Sequence, residues 1–140
     1  MSSPTARSLE LLRKLGYVAA VVERFNAHVP PHGIRIDLFG LADIEAITQD
    51  HTLYVQATPA ARLSDHLAKC LSVEHLPVLI ATPARRFEIW SWGKRRRGGR
   101  DRWVLRRLRA RSVGNGERMP DVAFVELEED VSPETPMSAR

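Results

Sequence analysis

The chain has 140 residues, enough for one compact domain with its own core and too few for two that are each well stabilised. Its 44% apolar content fits a soluble globular protein. No apolar run approaches the roughly 20 residues of a membrane-spanning helix, and no basic segment followed by an apolar one marks a secretory signal. Cys70 is the single cysteine, which excludes an intrachain disulfide and a cysteine-built zinc site and fits a reducing cytoplasm.

The formal net charge of +4 is unevenly spread. Residues 85–111 hold twelve Arg and Lys against only Glu88 and Asp101, whereas residues 112–140 carry two basic and seven acidic side chains. Such segregation points to a polyanionic partner. Arginine dominates the basic block, and Trp90, Trp92 and Trp103 interleave with it. That combination favours nucleic acid.

In chain order, Ser3 and Pro4 open a helix and Gly16 closes it, with Leu9, Leu12 and Leu15 as its apolar stripe. Residues 17–25 are Val-rich and predict a strand buried on both faces, with Glu23 at its emerging end. Residues 26–33, with Pro30-Pro31, His28 and His32, read as a loop. Arg35–Phe39 is extended and stops at Gly40. Asp43–Ile47 and Thr52–Ala57 then predict a hairpin turning at Gln49-Asp50-His51. A helix follows over residues 60–71, with Leu63, Leu67, Cys70 and Leu71 inward and Arg62, Asp65, His66 and Lys69 outward.

Residues 76–81 predict an apolar strand, and 87–92 a half-buried alternating one. Residues 94–102, with Gly98-Gly99, read as a flexible basic loop before a strand at Trp103–Leu105 that ends in Arg106-Arg107. Residues 122–127 predict the last strand. The acidic remainder, 128–140, reads as a disordered tail behind one domain spanning 1–127. Helices packed on a sheet are the economical arrangement for these apolar faces.

The acidic residues suggest chemistry. Antiparallel pairing of the hairpin brings Asp43 and Gln56 across the ladder from each other, where they can share one cation. Glu23 from a third strand can complete the shell. Mg²⁺ takes such oxygen ligands and keeps several waters. A bound metal would polarise a phosphate oxygen and acidify a coordinated water. Taken singly, Asp37 also suits an Asx-turn before Gly40, Asp43 a turn residue, and Gln56 a cross-strand hydrogen bond.

Glu23, Asp37-Leu38-Phe39-Gly40, Asp43-Ile44 and Val55-Gln56-Ala57-Thr58 together resemble the PD-(D/E)XK nuclease superfamily, most closely its small phage-type and Holliday-junction-resolvase-like members. The resemblance covers roughly residues 8–92. It implies an α/β, restriction-endonuclease-like core, with a mixed sheet of four or more strands flanked by helices, here extended by a basic C-terminal hairpin. It implies Mg²⁺- or Mn²⁺-dependent hydrolysis of phosphodiester bonds in DNA, with branched or recombination intermediates among the candidate substrates. Resolvase-like members are often dimers, so it also allows a homodimer.

On this pattern Asp43 takes the aspartate position of the second core strand. Gln56 stands at the acidic position of the third strand and Thr58 at the lysine position. Glu23 answers to an upstream glutamate. Gln56 weakens the metal site by one charge, and Thr58 supplies no cation. Asp37 is the candidate substitute carboxylate, and Lys69 on the following helix the candidate relocated lysine, with Arg62 an alternative. The expected metal set is therefore Glu23, Asp37, Asp43 and Gln56, and the expected catalytic set Asp43, Gln56, Glu23 and Lys69. Arg62, Trp92, Lys94, Arg95, Arg96, Arg97, Arg100, Arg102 and Arg106 are the expected nucleic-acid contacts, with Arg107 beside them. Trp92 and Trp103 are candidate stacking platforms for unpaired bases. The alternative expectation is a catalytically inactive nucleic-acid-binding module of the same fold.

Overall fold

In the computed structural model residues 3–114 and 121–128 are described, Arg97 without its side chain. The first helix, α1, spans Pro4–Lys14. Ser3 caps it by accepting from the Ala6 amide at 3.1 Å, and Gly16 leaves it with φ 97°. Strands β1 (Val18–Val21), β2 (Arg24–Asn26), β3 (Ile34–Ile36), β4 (Ile44–Ile47) and β5 (Thr52–Pro59) follow. A single 3₁₀ turn, Ala60–Arg62, leads into α2 (Leu63–Ser72), then α3 (Leu76–Leu79). The chain continues with β6 (Arg85–Arg97), β7 (Arg100–Val113) and β8 (Asp121–Leu127).

This is an α/β protein with a central mixed sheet of six strands, in the order β1-β4-β5-β6-β7-β8, flanked by helices. Every neighbouring pair is antiparallel except β5 and β6, which run parallel because α2 and α3 carry the chain back across the sheet. β2 and β3 form a separate two-stranded sheet. Among the described residues no helix is long and apolar enough to cross a membrane.

Each face of the sheet carries one core. On the first, Leu11, Leu12 and Leu15 of α1 meet Ile44, Ala46, Leu53, Val55, Trp90 and Trp92. On the second, Leu63 and Cys70 of α2 and Leu76 and Leu79 of α3 meet Phe87, Ile89, Leu108 and Ala110, with Leu41 and Ala42 beside them. Burial pushes the Cys70 thiol up to about 12, so this cysteine is an inert packing residue.

Several expectations change. The strand predicted over 17–25 is split, and β1 is an edge strand with Val18 72% exposed instead of a strand buried on both faces. β1 is hydrogen-bonded on one side only, to β4, and composition does not disclose sheet order. The strand buried on both faces is β6. Phe87 to Trp92 are all buried, not alternately exposed, because β5 and β7 flank β6 and both helical layers cover it. Glu88 is tolerated there because it accepts from Trp90 Nε1 at 2.9 Å, Arg107 Nε at 2.9 Å and Arg109 Nη2 at 2.7 Å. Burial alone would raise its pKa, but Arg107, Arg109 and Trp90 outweigh burial and hold it below the usual carboxylate range.

The strand predicted over 76–81 is the short helix α3. Pro77 sits in its first turn, where its fixed φ and missing N–H cost nothing. The helix predicted over 60–71 begins as the 3₁₀ turn, and Leu71 is exposed instead of inward. Residues 94–102 are not a loop. β6 and β7 run straight through them, and Gly98 (φ 58°) and Gly99 (φ 78°) make the two-residue turn that a hairpin of this twist requires. β7 also continues past Arg107 to Val113. The tail expected over 128–140 lies outside the described residues beyond Glu128.

Candidate metal centre

Three segments converge at one end of the β4–β5 ladder. Asp43 immediately precedes β4, and its amide donates to Val55 O at 2.8 Å. The amide of Val22, just past β1, donates to Asp43 O at 2.8 Å, which brings Glu23 to the same corner. Asp37 arrives on a tight turn closed by the Leu38–Ala42 bridge and by Gly40 N–H donating to Asp37 O at 3.1 Å. Phe39 and Gly40 both take positive φ in that turn, 58° and 72°. One carboxylate oxygen from each of Glu23, Asp37 and Asp43 lies within 4.8 Å of the others.

Asp43 is 3% exposed. Its Oδ2 accepts from the Ala57 amide at 2.8 Å and from Gln56 Nε2 at 3.0 Å. Burial, then a hydrogen bond to Asp37 and the nearby charges of Asp37 and Glu23, push the Asp43 carboxyl up to about 8. Burial would raise Asp37 too, but the Asp43 hydrogen bond and the Lys69 ammonium outweigh it, and its pKa is lowered. Asp37 and Asp43 thus hold one proton between them, resident on Asp43.

Lys69 of α2 places Nζ 2.8 Å from Asp37 Oδ2. The side chains of Glu23, Asp37, Asp43, Gln56 and Lys69 therefore form one connected group. Thr58 is fully buried and donates to Pro59 O at 3.1 Å, so it offers nothing to this corner. Arg62 ends the 3₁₀ turn before α2 and pairs loosely with Asp65 at 3.9 Å.

Sequence reasoning left His66 without a role. It is half-buried on α2, and its Nδ1 is buried without a hydrogen-bond partner. Burial, then Lys69 and Arg62, lower its pKa and keep it neutral, while Asp37 opposes them. Its position one helical turn before Lys69 was the available signal.

The donor set suits a hard divalent cation. Three mutually repelling carboxylates would be relieved by one, and oxygen is the preferred ligand. Gln56 uses its amide nitrogen on Asp43 and leaves Oε1 buried and without a partner, a neutral oxygen in reserve beside the acids. An oxygen of this kind is the ligand the site can add without adding charge.

The expected nucleic-acid residues divide. Trp92 is 1% exposed and donates Nε1 to Ser8 Oγ at 2.8 Å, so it is a core residue and not a stacking platform. Trp103 is half-buried, with the Arg7 guanidinium 3.6 Å from its ring centroid and Lys94 Nζ at 5.0 Å, and is not open to bases. Arg107 is committed to Glu88, and Arg106 to Glu126. Lys94, Arg95, Arg96, Arg100 and Arg102 are exposed on the β6–β7 hairpin, and the side chain of Arg97 lies outside the described residues.

No protein-family model, no curated protein and no solved structure matches the chain.

Proposed function

We propose that this chain is a Mg²⁺- or Mn²⁺-dependent nuclease that hydrolyses phosphodiester bonds in DNA on a PD-(D/E)XK-type, restriction-endonuclease-like core. The observation that carries the reading is the convergence of Glu23, Asp37 and Asp43 within 4.8 Å, with Lys69 reaching the same group from α2. The fold is consistent with it: β1, at the sheet edge, and β4, β5 and β6 are four adjacent strands between two helical layers. Asp43 immediately precedes the second of these strands, and Gln56 and Thr58 lie on the third.

Glu23, Asp37 and Asp43 would hold the cation, with Gln56 Oε1 as a neutral fourth oxygen. When bound, the cation supplies polarisation of a phosphate oxygen and a more acidic coordinated water. Asp43 would give up its proton on holding the cation, because both compete for the same carboxylate. Asp37 anchors the Lys69 ammonium at the edge of the site, where its positive charge offsets negative charge developing on a phosphate. The relocation of the cation from Thr58 to Lys69 is reasonable because Thr58 is sealed in the core.

Incubation with Mg²⁺ or Mn²⁺ and duplex, single-stranded and branched DNA tests the reading. Cleavage is expected, and Asp43→Ala is expected to abolish it. Cleavage undiminished in that variant would rule the site out. A second reading, a binding module without catalysis, is favoured by Gln56 standing where a third-strand carboxylate is expected. DNA bound tightly but left intact with either metal would establish it.

A further inference from the structure

Beyond Trp92 the β6–β7 hairpin leaves the sheet. β5 ends opposite Trp92, at Pro59, and β8 covers β7 only from Arg107 onward. Residues 93–97 and 100–104 therefore form a two-stranded ribbon with no strand on either side. Isolated two-stranded ribbons are marginal in water and gain from a partner. Arg95 stands directly opposite Arg102, and Arg97 opposite Arg100. Like charges across a ladder repel. Among the described residues no carboxylate pairs with Arg95, Arg100 or Arg102.

The ribbon carries cations on both faces, with Asp101 standing opposite Arg96 on one of them. Cross-strand partners share a face, so Arg95, Arg100 and Arg102 continue the face of Ile89 and Ser91, while Lys94 and Arg96 continue that of Trp90 and Trp92. Gln56 pairs with Ile89 and lies on the first of these faces. Because β5 and β6 are parallel, the ribbon also leaves from the end of the sheet where Gln56 and Asp43 sit.

We infer that the ribbon enters the major groove of B-form duplex DNA alongside the candidate metal centre; this rests on the nuclease reading for its orientation only. A groove about 12 Å wide admits a two-stranded β-ribbon and presents phosphates on both sides, matching cations on both faces. A single strand calls for one charged face and open aromatic platforms. Trp90 and Trp92 are buried, and the ring of half-buried Trp103 is already engaged by Arg7 and Lys94. Arg95 lies six residues beyond Ile89, about 20 Å along the strand. At about 3.4 Å per base pair, its contacts fall about six base pairs from the cut, and those of Arg100 about eight.

The test is fluorescence anisotropy of the full chain, in Ca²⁺ to hold the site without turnover, with a duplex of about 30 base pairs, its separate strand and the same duplex as RNA. Duplex DNA is expected to bind at least about tenfold tighter than either alternative. Arg95→Ala/Arg100→Ala/Arg102→Ala is expected to weaken it at least about tenfold and to flatten the salt dependence by about 0.9 per arginine. The corresponding lysine variant is expected to keep the slope. Phosphate-ethylation interference is expected about six to eight base pairs from the cut or, without cutting, from Fe²⁺-generated scission at the metal centre. Equal affinity for the single strand or for duplex RNA, or undiminished affinity in the alanine variant, would overturn the inference. Duplex binding that depends on these arginines without any cleavage in Mg²⁺ or Mn²⁺ would sink the nuclease reading and leave the ribbon's role standing.

Discussion

Asp43→Asn in the metal-free protein is expected to increase stability at neutral pH while removing metal binding. Asp43 has its folded pKa raised from 3.8 to about 8. For a carboxyl shifted upward, the folded state binds more protons than the unfolded state between the two values. The contribution of Asp43 to stability is therefore intact below about pH 4, falls as pH rises through that window, and levels off above about pH 8. One pH unit inside the window corresponds to about 1.4 kcal/mol for an isolated group. Asp37 and Asp43 hold one proton between them, so the pair has that same slope whichever carboxylate carries it. Glu88, whose pKa is lowered, acts in the opposite direction but only below the ordinary glutamate value, so the two windows barely overlap.

Asparagine keeps an oxygen in the place of Asp43 Oδ2, where the Ala57 amide at 2.8 Å and Gln56 Nε2 at 3.0 Å both donate, and its amide nitrogen takes the place of the other carboxylate oxygen. Urea unfolding in EDTA across about pH 5 to pH 8 should show the wild type losing stability with rising pH and the variant nearly flat. Parallel profiles for the two proteins would refute the assignment of the proton to Asp43. Adding Mn²⁺ should then stabilise the wild type, more at the alkaline end, and leave the variant unchanged.

Lys69→Met should lower cleavage about 100-fold with Mn²⁺ affinity reduced far less, measured by single-turnover assay beside calorimetry. Glu88→Gln should destabilise the fold by about 3 kcal/mol, because Arg107 loses its buried counter-charge, as read from the guanidinium unfolding midpoint. Trp92→Ala should cost about 3–5 kcal/mol in thermal unfolding yet leave DNA affinity per folded molecule unchanged, since its indole meets Ser8 and not solvent.

The β4–β5 hairpin was legible because local signals agreed. Two apolar runs flank a polar turn, and that turn is held by Thr48 Oγ1 donating to Asp50 at 2.8 Å and accepting from the His51 amide at 3.2 Å. Once that register is given, Asp43 and Gln56 must meet, and they do. The convergence of Glu23 and Asp37 on the same corner was harder to read, because it depends on the Val22–Asp43 backbone hydrogen bond and on a turn at Phe39-Gly40 with positive φ. The position of β1 was not legible at all. A Val-rich segment reads alike at the edge and at the centre, and only the long-range order β1-β4-β5-β6 distinguishes them. α3 was misread because four apolar residues carry no usable period, and Pro77 favours the first turn of a helix as readily as it ends a strand.

Charge was the signal that needed the most correction, and the correction changes its meaning. Counting twelve cations over 85–111 suggests one broad basic surface. The fold instead assigns Arg107 and Arg109 to Glu88, Arg106 to Glu126, and Arg85 to the carbonyls of Leu79 and Val78 at 2.9 and 3.0 Å. Arg107 and Arg109 are tied to a buried carboxylate, and Arg106 and Arg85 already have partners of their own. What remains is concentrated on the ribbon, where arginine opposes arginine. A protein that needed these charges only for solubility would gain from staggering them with carboxylates, as it does at Arg96 and Asp101. Facing them in pairs on the side of the sheet that carries Asp43 and Gln56 costs stability in the free protein, and on the proposed DNA surface phosphates would offset that cost. The number of phosphates engaged should therefore follow the exposed ribbon cations and fall well below twelve, and the measured salt slope reads that number directly.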